Sequence, residues 1–332
     1  MKRKFKYLNY SLVLAVSVLS LAGCTKKEYA IPTSKTTLQN DAIKRTIGPN
    51  IVAQQIEFVY AMAILPDKGK IVSAQVEASI AGATGTFLEH RSFYTNSSGV
   101  DIPVTIGVPS VTSGNTTAVT FNKDTSAAAL RFYYVIPEEA RGKTVSFKFS
   151  ATSSNGETVT YSLGPYTIAT MDMVRLLNVS NAANAYISIA DMKVYNGVDA
   201  AANAGKVDLV YLYRNITTSA FFHALVSPAA DVAYLPGVTL PTGVNKSTKV
   251  QKVFNLQDFN LARLQYGIYI DDLDFEKLDL TTAPNFAINL KAEAGVWAET
   301  ADGKYKAYIY FNSVNAAGTA VISIKRWTVP GK

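Results

Sequence analysis

Cysteine is nearly absent: the 332 residues contain one, Cys24. The body that follows therefore has no internal disulfide, no cysteine-ligated metal and no thiol nucleophile. Histidine is almost as scarce, with His90 and His223 far apart and no His-x-x-x-His pairing. A hydrolytic triad would have to use one of the two, and no Gly-x-Ser-x-Gly elbow is present to serve it. His223 follows Phe221-Phe222, a setting that favours a packed, hydrogen-bonded ring. Gly142-Lys143-Thr144 has the ending of a phosphate-binding loop. However, Pro137 stands where the loop's first glycine belongs and a strand pattern follows, so the amides and helix N-terminus that cradle phosphate are missing.

A long hydrophobic run is missing too. Residues 8–21 carry no charge and are mostly apolar, but such a stretch of about 14 is shorter than the ~20 a spanning helix needs. Lys2, Arg3, Lys4 and Lys6 precede it, and Leu21-Ala22-Gly23-Cys24 closes it. A basic end, an apolar stretch and small residues before the cut make an export signal. Leu-Ala-Gly-Cys matches the bacterial lipobox, so the expectation is cleavage before Cys24, lipid on its thiol and amine, and an exported chain anchored to the outer membrane. One acyl chain holds a protein only marginally, whereas two or more anchor it firmly.

The signal also explains the charge. Of the 32 basic residues four lie in positions 1–23, where no acidic residue occurs, which leaves 28 against 25 acidic ones, or +3. Without a basic stripe interleaved with aromatics, nucleic acid is not an expected partner. A remaining chain of 309 residues, with 48% hydrophobic residues overall, is long enough for two domains held by their own cores.

Residues 24–50 read as a lipidated tether: polar, rich in Lys and Thr, broken by Pro32. The second half of that stretch has an alternative reading as a first edge strand. From 51 to 170, runs at 51–65, 70–80, 87–95, 116–121, 129–136, 144–152 and 158–168 are rich in β-branched and aromatic residues. Val145, Phe147, Phe149 and Ala151 alternate with Ser146, Lys148 and Ser150, the period of a half-buried strand. Asn155-Gly156 then supplies a tight turn before Val159, Tyr161 and Leu163 alternate in their turn. So many short strands without a helical run predict an immunoglobulin-like β-sandwich. Residues 171–332 mix patterns and predict a β-rich α+β domain with a few short helices. Strands are expected at 185–194, 207–213 and 319–329, and a hairpin around Asp302-Gly303. Short helices are expected at 199–204, with Gly205 to end the first, and at 256–266.

Two clusters stand out as candidate sites. Asp271, Asp272 and Asp274 form the densest acidic group. They could offer oxygens to calcium, although no EF-hand loop surrounds them and a solvated acidic face is the simpler reading. Tyr308 and Tyr310 share a strand face with Lys306 and Asn312, and Trp297 lies across the hairpin. As an exposed platform these rings would stack on sugar; as packing they would cover a half-buried sheet. No other cofactor is indicated.

Several segments resemble a group of Bacteroidetes cell-envelope lipoproteins classed as a domain of unknown function. These are Leu-Ala-Gly-Cys24, the strand at 142–151 with its Ser-Asn-Gly turn, Gly-Pro-Tyr166 and Lys206-Val207-Asp208-Leu209-Val210-Tyr211. Ser227-Pro228 and Thr300-Ala301-Asp302-Gly303-Lys304-Tyr305 complete the set. The resemblance covers most of the chain and brings no catalytic residues with it. It implies an envelope protein in adhesion or glycan capture. Thr25-Lys26-Lys27-Glu28 lacks the acidic stretch that surface-exported lipoproteins of that phylum often carry, which leaves the membrane face open. Three roles follow. A non-enzymatic binding protein predicts exposed aromatics or a concave domain junction. An accessory subunit of an envelope complex predicts a large apolar patch. A carboxylate-dependent glycoside hydrolase predicts two acids converging in a cleft.

Overall fold

The computed structural model describes residues 35–254, 256–262 and 267–332. Strand-forming residues alternate inward and outward along most of this length, and the elements follow that alternation. The first half holds β1 (Gln39–Lys44), β2 (Gln55–Ala63), β3 (Ile71–Ala78), β4 (Phe87–Leu88), β5 (Arg91–Thr95) and β6 (Asp101–Thr105). It continues with β7 (Val111–Ser113), β8 (Thr116–Thr120), β9 (Ala127–Val135), β10 (Thr144–Ser153) and β11 (Thr158–Thr167). Strands β1-β2-β9-β4 make one antiparallel sheet, β11-β10-β3-β8-β7 the other, and β5-β6 a separate hairpin.

The two sheets close on an aromatic centre. Phe58, Tyr60, Phe132, Tyr134, Phe147 and Phe149 are all buried. The Phe58 and Phe147 rings lie 4.6 Å apart and Tyr134 meets Phe147 edge-on at 4.9 Å, arrangements that add to the area they bury. Val145, Phe147, Phe149 and Ala151 face this core, and β10 turns into β11 at Gly156, whose φ is +86°. Thus the first half is the expected β-sandwich.

Two boundaries differ from the sequence reading. The stretch 24–50 is not tether throughout, because β1 pairs with β2 from Gln39↔Ala63 to Lys44↔Phe58. Its second half holds the edge strand given above as the alternative reading, and within β1 Ala42 is the buried residue. The run 87–95 is two strands, since the chain leaves β9 after Leu88 and re-forms as β5 against β6.

The second half holds β12 (Asp172–Ser180), β13 (Tyr186–Ser188), β14 (Lys193–Tyr195), α1 (Gly197–Ala202), β15 (Leu209–Arg214) and β16 (Phe222–Val226). Beyond them come β17 (Lys249–Val253), α2 (Asp272–Lys277), β18 (Phe286–Leu290), β19 (Gly295–Glu299), β20 (Tyr305–Asn315) and β21 (Thr319–Thr328). Sheets β12-β21-β20-β19-β17 and β14-β13-β15-β16-β18 share a core that includes Leu209, Tyr211, Val296, Ile309 and Ile322. The chain is mainly β, and its α component is slight: α1 and α2 have six residues each. Asn196 caps α1 by accepting from the Asp199 amide at 2.8 Å. The expected strand at 185–194 is broken into β13 and β14 by a turn in which Met192 takes φ +49°. The described part of 256–266 is not helical; it is an irregular segment tied down by Asp258.

Residues 37–332 form one compact unit. Ile51, Ala169 and Met171 pack with Ile270, Phe275 and Trp327 in a seam between the sandwiches. Asp272 accepts from the Thr170 and Met171 amides at 2.6 and 3.0 Å, and from the Thr170 hydroxyl at 2.8 Å. A carboxylate receiving several donors is among the stronger ties a surface can offer. The seam is therefore held by apolar burial, by Asp272 and by Asp172, which pairs with Arg141 of the first half at 2.8 Å.

Candidate functional site

The aromatic candidates do not form a platform. Tyr308 and Tyr310 are buried, and Trp297 is half-buried with Phe275 edge-on at 5.5 Å and Tyr308 at 4.7 Å. The same face of β20 carries the donors that hold its cover. Lys306 Nζ donates to the Phe275 and Leu278 carbonyls at 2.9 and 2.6 Å, and Asn312 Nδ2 to the Leu261 carbonyl at 2.8 Å. Tyr308 Oη donates to the Leu256 carbonyl. The polar residues that suggested exposure are the anchors of an irregular covering segment. Burial pushes the Tyr308 phenol far above its ordinary range.

The acidic candidates are corrected as well. Asp271 is the N-cap of α2, accepting from Leu273 N at 2.9 Å, and Asp274 reaches back to Asp271 N at 2.9 Å. This is a capping box. Asp272 grips the linker. Each carboxylate answers backbone amides, and among the described residues no group of three or more His, Cys, Asp or Glu is placed to hold a metal ion. Cys24 lies outside the described residues.

A groove of about 520 Å³ lies instead on the outer face of the first sheet. Register builds it. Gln39, Ala63 and Ala127 stand in one row across β1, β2 and β9, and Asp41, Ala61 and Ala129 in the next. Inward positions Tyr60, Met62, Ala128 and Leu130 fill the core, so the odd-numbered alanines present a floor of methyl groups to solvent. The β5-β6 hairpin makes the wall. Ser92 Oγ accepts from the Ala129 amide at 3.0 Å, which sets the hairpin beside β9. Arg131 lies 4.1 Å over the Phe93 ring and pairs with Asp101 from the hairpin's other strand. Phe93 is thereby fixed, and Tyr94 beside it is 56% exposed. On the opposite rim Asp41 sits beside Tyr161, whose phenol it pushes upward. The arrangement offers an apolar floor, a fixed aromatic wall and a rim of hydroxyl, amide and carboxylate groups. It can hold a ligand with one flat apolar face and polar edges.

A second concavity of about 590 Å³ lies where the sandwiches meet. Arg45, Asn50, Gln54 and Gln55 line it from the first half, Phe259 and Asn260 from the second. Ala53, in its wall, adopts φ +65°, a conformation unusual for a residue with a Cβ. Arg45 is satisfied by Glu57 at 2.8 Å.

His223, Asp208 and Lys325 are closed off. His223 Nδ1 and Tyr211 Oη are 2.7 Å apart within the second sandwich, and burial lowers the His223 pKa. Burial raises the Asp208 pKa although Lys246 Nζ is 2.9 Å away; the carboxylate is fully enclosed. Lys325 is buried against Asp258 at 2.7 Å, and burial lowers its pKa. His90 stays partly exposed, 3.3 Å from Glu89.

Two family models match successive parts of the chain: Domain of unknown function (DUF4466) over residues 35–168 and Domain of unknown function (DUF8576) over residues 169–329. The crystal structure of a DUF4466 family protein from Parabacteroides merdae ATCC 43184 is 48% identical, with a TM-score of 0.83. The match covers 89% of this chain and 99% of that one. The chain belongs to the DUF4466 family. No curated protein matches it. The alanine-floored groove lies wholly within the DUF4466 part, whereas the junction concavity draws on both parts. A concave junction is an expectation of the binding-protein reading, but sequence reasoning named none of its lining residues and missed the groove altogether. Alanines at 61, 63, 127 and 129 have no chemical signature until register sets them side by side.

Proposed function

We propose that this DUF4466 family member is a lipid-anchored protein of the cell envelope that binds a glycan without transforming it, in the groove over the alanine floor. The observation that carries the reading is the pairing of an open methyl floor with a wall of Phe93, held under Arg131, and the exposed Tyr94. A sugar ring has an apolar face and hydroxyl edges. The methyls and rings suit the first, and Gln39, Asp41 and Ser92 suit the second. Anchoring rests on the lipobox at Cys24, with the outer membrane as the site of attachment. The non-enzymatic part rests on the groove lining, in which Asp41 is the one carboxylate, whereas a glycoside hydrolase needs a converging pair.

The test is a glycan-array and polysaccharide affinity-gel screen of the full chain. Retardation by a polysaccharide, lost in Tyr94→Ala and in Ala61→Trp, is the expected result. If no polysaccharide retards the protein, the glycan reading falls and an envelope protein partner takes its place. Anchoring is checked separately by metabolic labelling with an acyl analogue: Cys24→Ala should abolish incorporation and release the protein from membranes.

A further inference from the structure

The groove and the junction concavity occupy opposite ends of one sheet face. Rows of outward residues run along it from Asp41-Ala61-Ala129, through Ile43-Val59-Arg131, to Gln55 paired with Val135 at the mouth of the junction. Ala61 and Gln55 are six residues apart on β2, which in an extended strand is about 20 Å. Solvent reaches the rows between: Ile43 is 57% exposed and Arg45 is exposed.

We infer that the glycan site is not a single-ring pocket but a track along this face, ending in a second subsite at the domain junction, and that its ligand is an unbranched, uncharged polysaccharide strand. This rests on the glycan reading of the groove and extends it.

Charge favours a neutral ligand. Arg45 is neutralised by Glu57 and Arg131 by Asp101, both within the protein. A polyanion would have to break these pairs, and no unpaired cation of the track would reward it. At the far end the polar groups are amides. Gln54 and Gln55 are exposed, and among the described residues neither side chain makes a hydrogen bond. Amides both donate and accept, as hydroxyls do. Phe259, braced by Tyr269 at 4.8 Å, supplies an aromatic surface there, as Phe93 and Tyr94 do at the near end. Shape argues against an extended peptide. Strand addition would pair along the outer edge of β1 and leave the groove empty, and side-chain recognition needs alternating pockets; the track offers a sheet face with a floor of methyls. A chain of sugars could engage both ends at once, so that the second contact is intramolecular and raises affinity without new chemistry.

Binding of the full chain to graded di- to hexasaccharides from neutral β-1,4-glucan, α-1,4-glucan, β-1,4-mannan and β-1,4-xylan, with polygalacturonate and an extended peptide as controls, tests this. For the retained glycan, affinity should rise tenfold or more from disaccharide to hexasaccharide. In Gln54→Ala/Gln55→Ala the hexasaccharide should fall back to the disaccharide's affinity, while disaccharide binding stays as in the parent. Gln55→Trp, which blocks the far end, should do the same. Affinity that does not change with length, or a hexasaccharide indifferent to both variants, overturns the track and leaves the groove. Preference for polygalacturonate or the peptide overturns the ligand assigned here. Failure to bind any saccharide overturns the glycan reading and the track with it.

Discussion

The outer face of the first sheet and the outer face of β20 invert what their residues advertise. β20 displays Lys306, Tyr308, Tyr310 and Asn312, the composition of a binding platform, and it is roofed by the segment carrying Asp258 and α2. The β1-β2-β9 face displays alanines, the composition of nothing in particular, and it is open. The difference lies in what satisfies the polar groups. On β20 Lys306, Tyr308 and Asn312 each donate to a backbone carbonyl of the cover, so polarity there serves the cover's orphan acceptors. On the first sheet the small side chains leave room that only the β5-β6 hairpin borders. Composition names the chemistry of a face, and hydrogen-bond accounting decides whether the face is available.

The largest test of that contrast is to loosen the roof. Asp258→Asn leaves Lys325 enclosed without its counter-ion, and breaking a buried pair typically costs about 3–5 kcal/mol. Urea unfolding should register that loss, and Trp297 fluorescence should shift as the cover loosens. Nearly as large is Tyr308→Ala, for which a buried aromatic predicts about 3–5 kcal/mol. Tyr94→Ala on the open face should change stability by no more than about 0.5 kcal/mol. Binding should reverse the order, with Tyr94→Ala losing ligand and Tyr308→Phe retaining it.

A smaller effect separates the seam from both faces. Asp272→Ala removes the acceptor of two amides and a hydroxyl, at about 1–3 kcal/mol. Calorimetry should show the single transition broaden or divide as the sandwiches uncouple. The mildest effect comes from His223. Burial holds its pKa below the ordinary 6.5, so the unfolded chain takes up a proton first as pH falls. Stability should be full above about 6.5 and decline as pH drops from there through the lower folded value; His223→Phe should remove that decline.

The fold was largely legible. Alternation at 145–151, the Asn155-Gly156 turn and the Asp302-Gly303 hairpin all stand where their residues placed them. These signals are local. What escaped was non-local or chemically mute. β1, given only as the alternative to a tether, is polar because an edge strand needs few inward side chains. The 256–262 segment carries helical spacing, yet Asp258 accepts the Asn260, Leu261 and Ile270 amides and Lys325 from a distant strand, which fixes an irregular path. Asp271, Asp272 and Asp274 are close in sequence but answer different amides. The groove depends on pairing residue 61 with 129 and 63 with 127, a relation that no window along the chain contains.

The central claim is that the open face of the first sheet is where ligand binds. Its most direct measurement is the retardation of Ala61→Trp beside the parent protein in the polysaccharide gel that retards the parent, with thermal unfolding recorded for both. Ala61 is exposed, so an indole there fills the floor without entering the core. Unchanged unfolding with retardation abolished is the predicted result. Unchanged unfolding with full retardation would contradict the account and place the ligand elsewhere on the molecule.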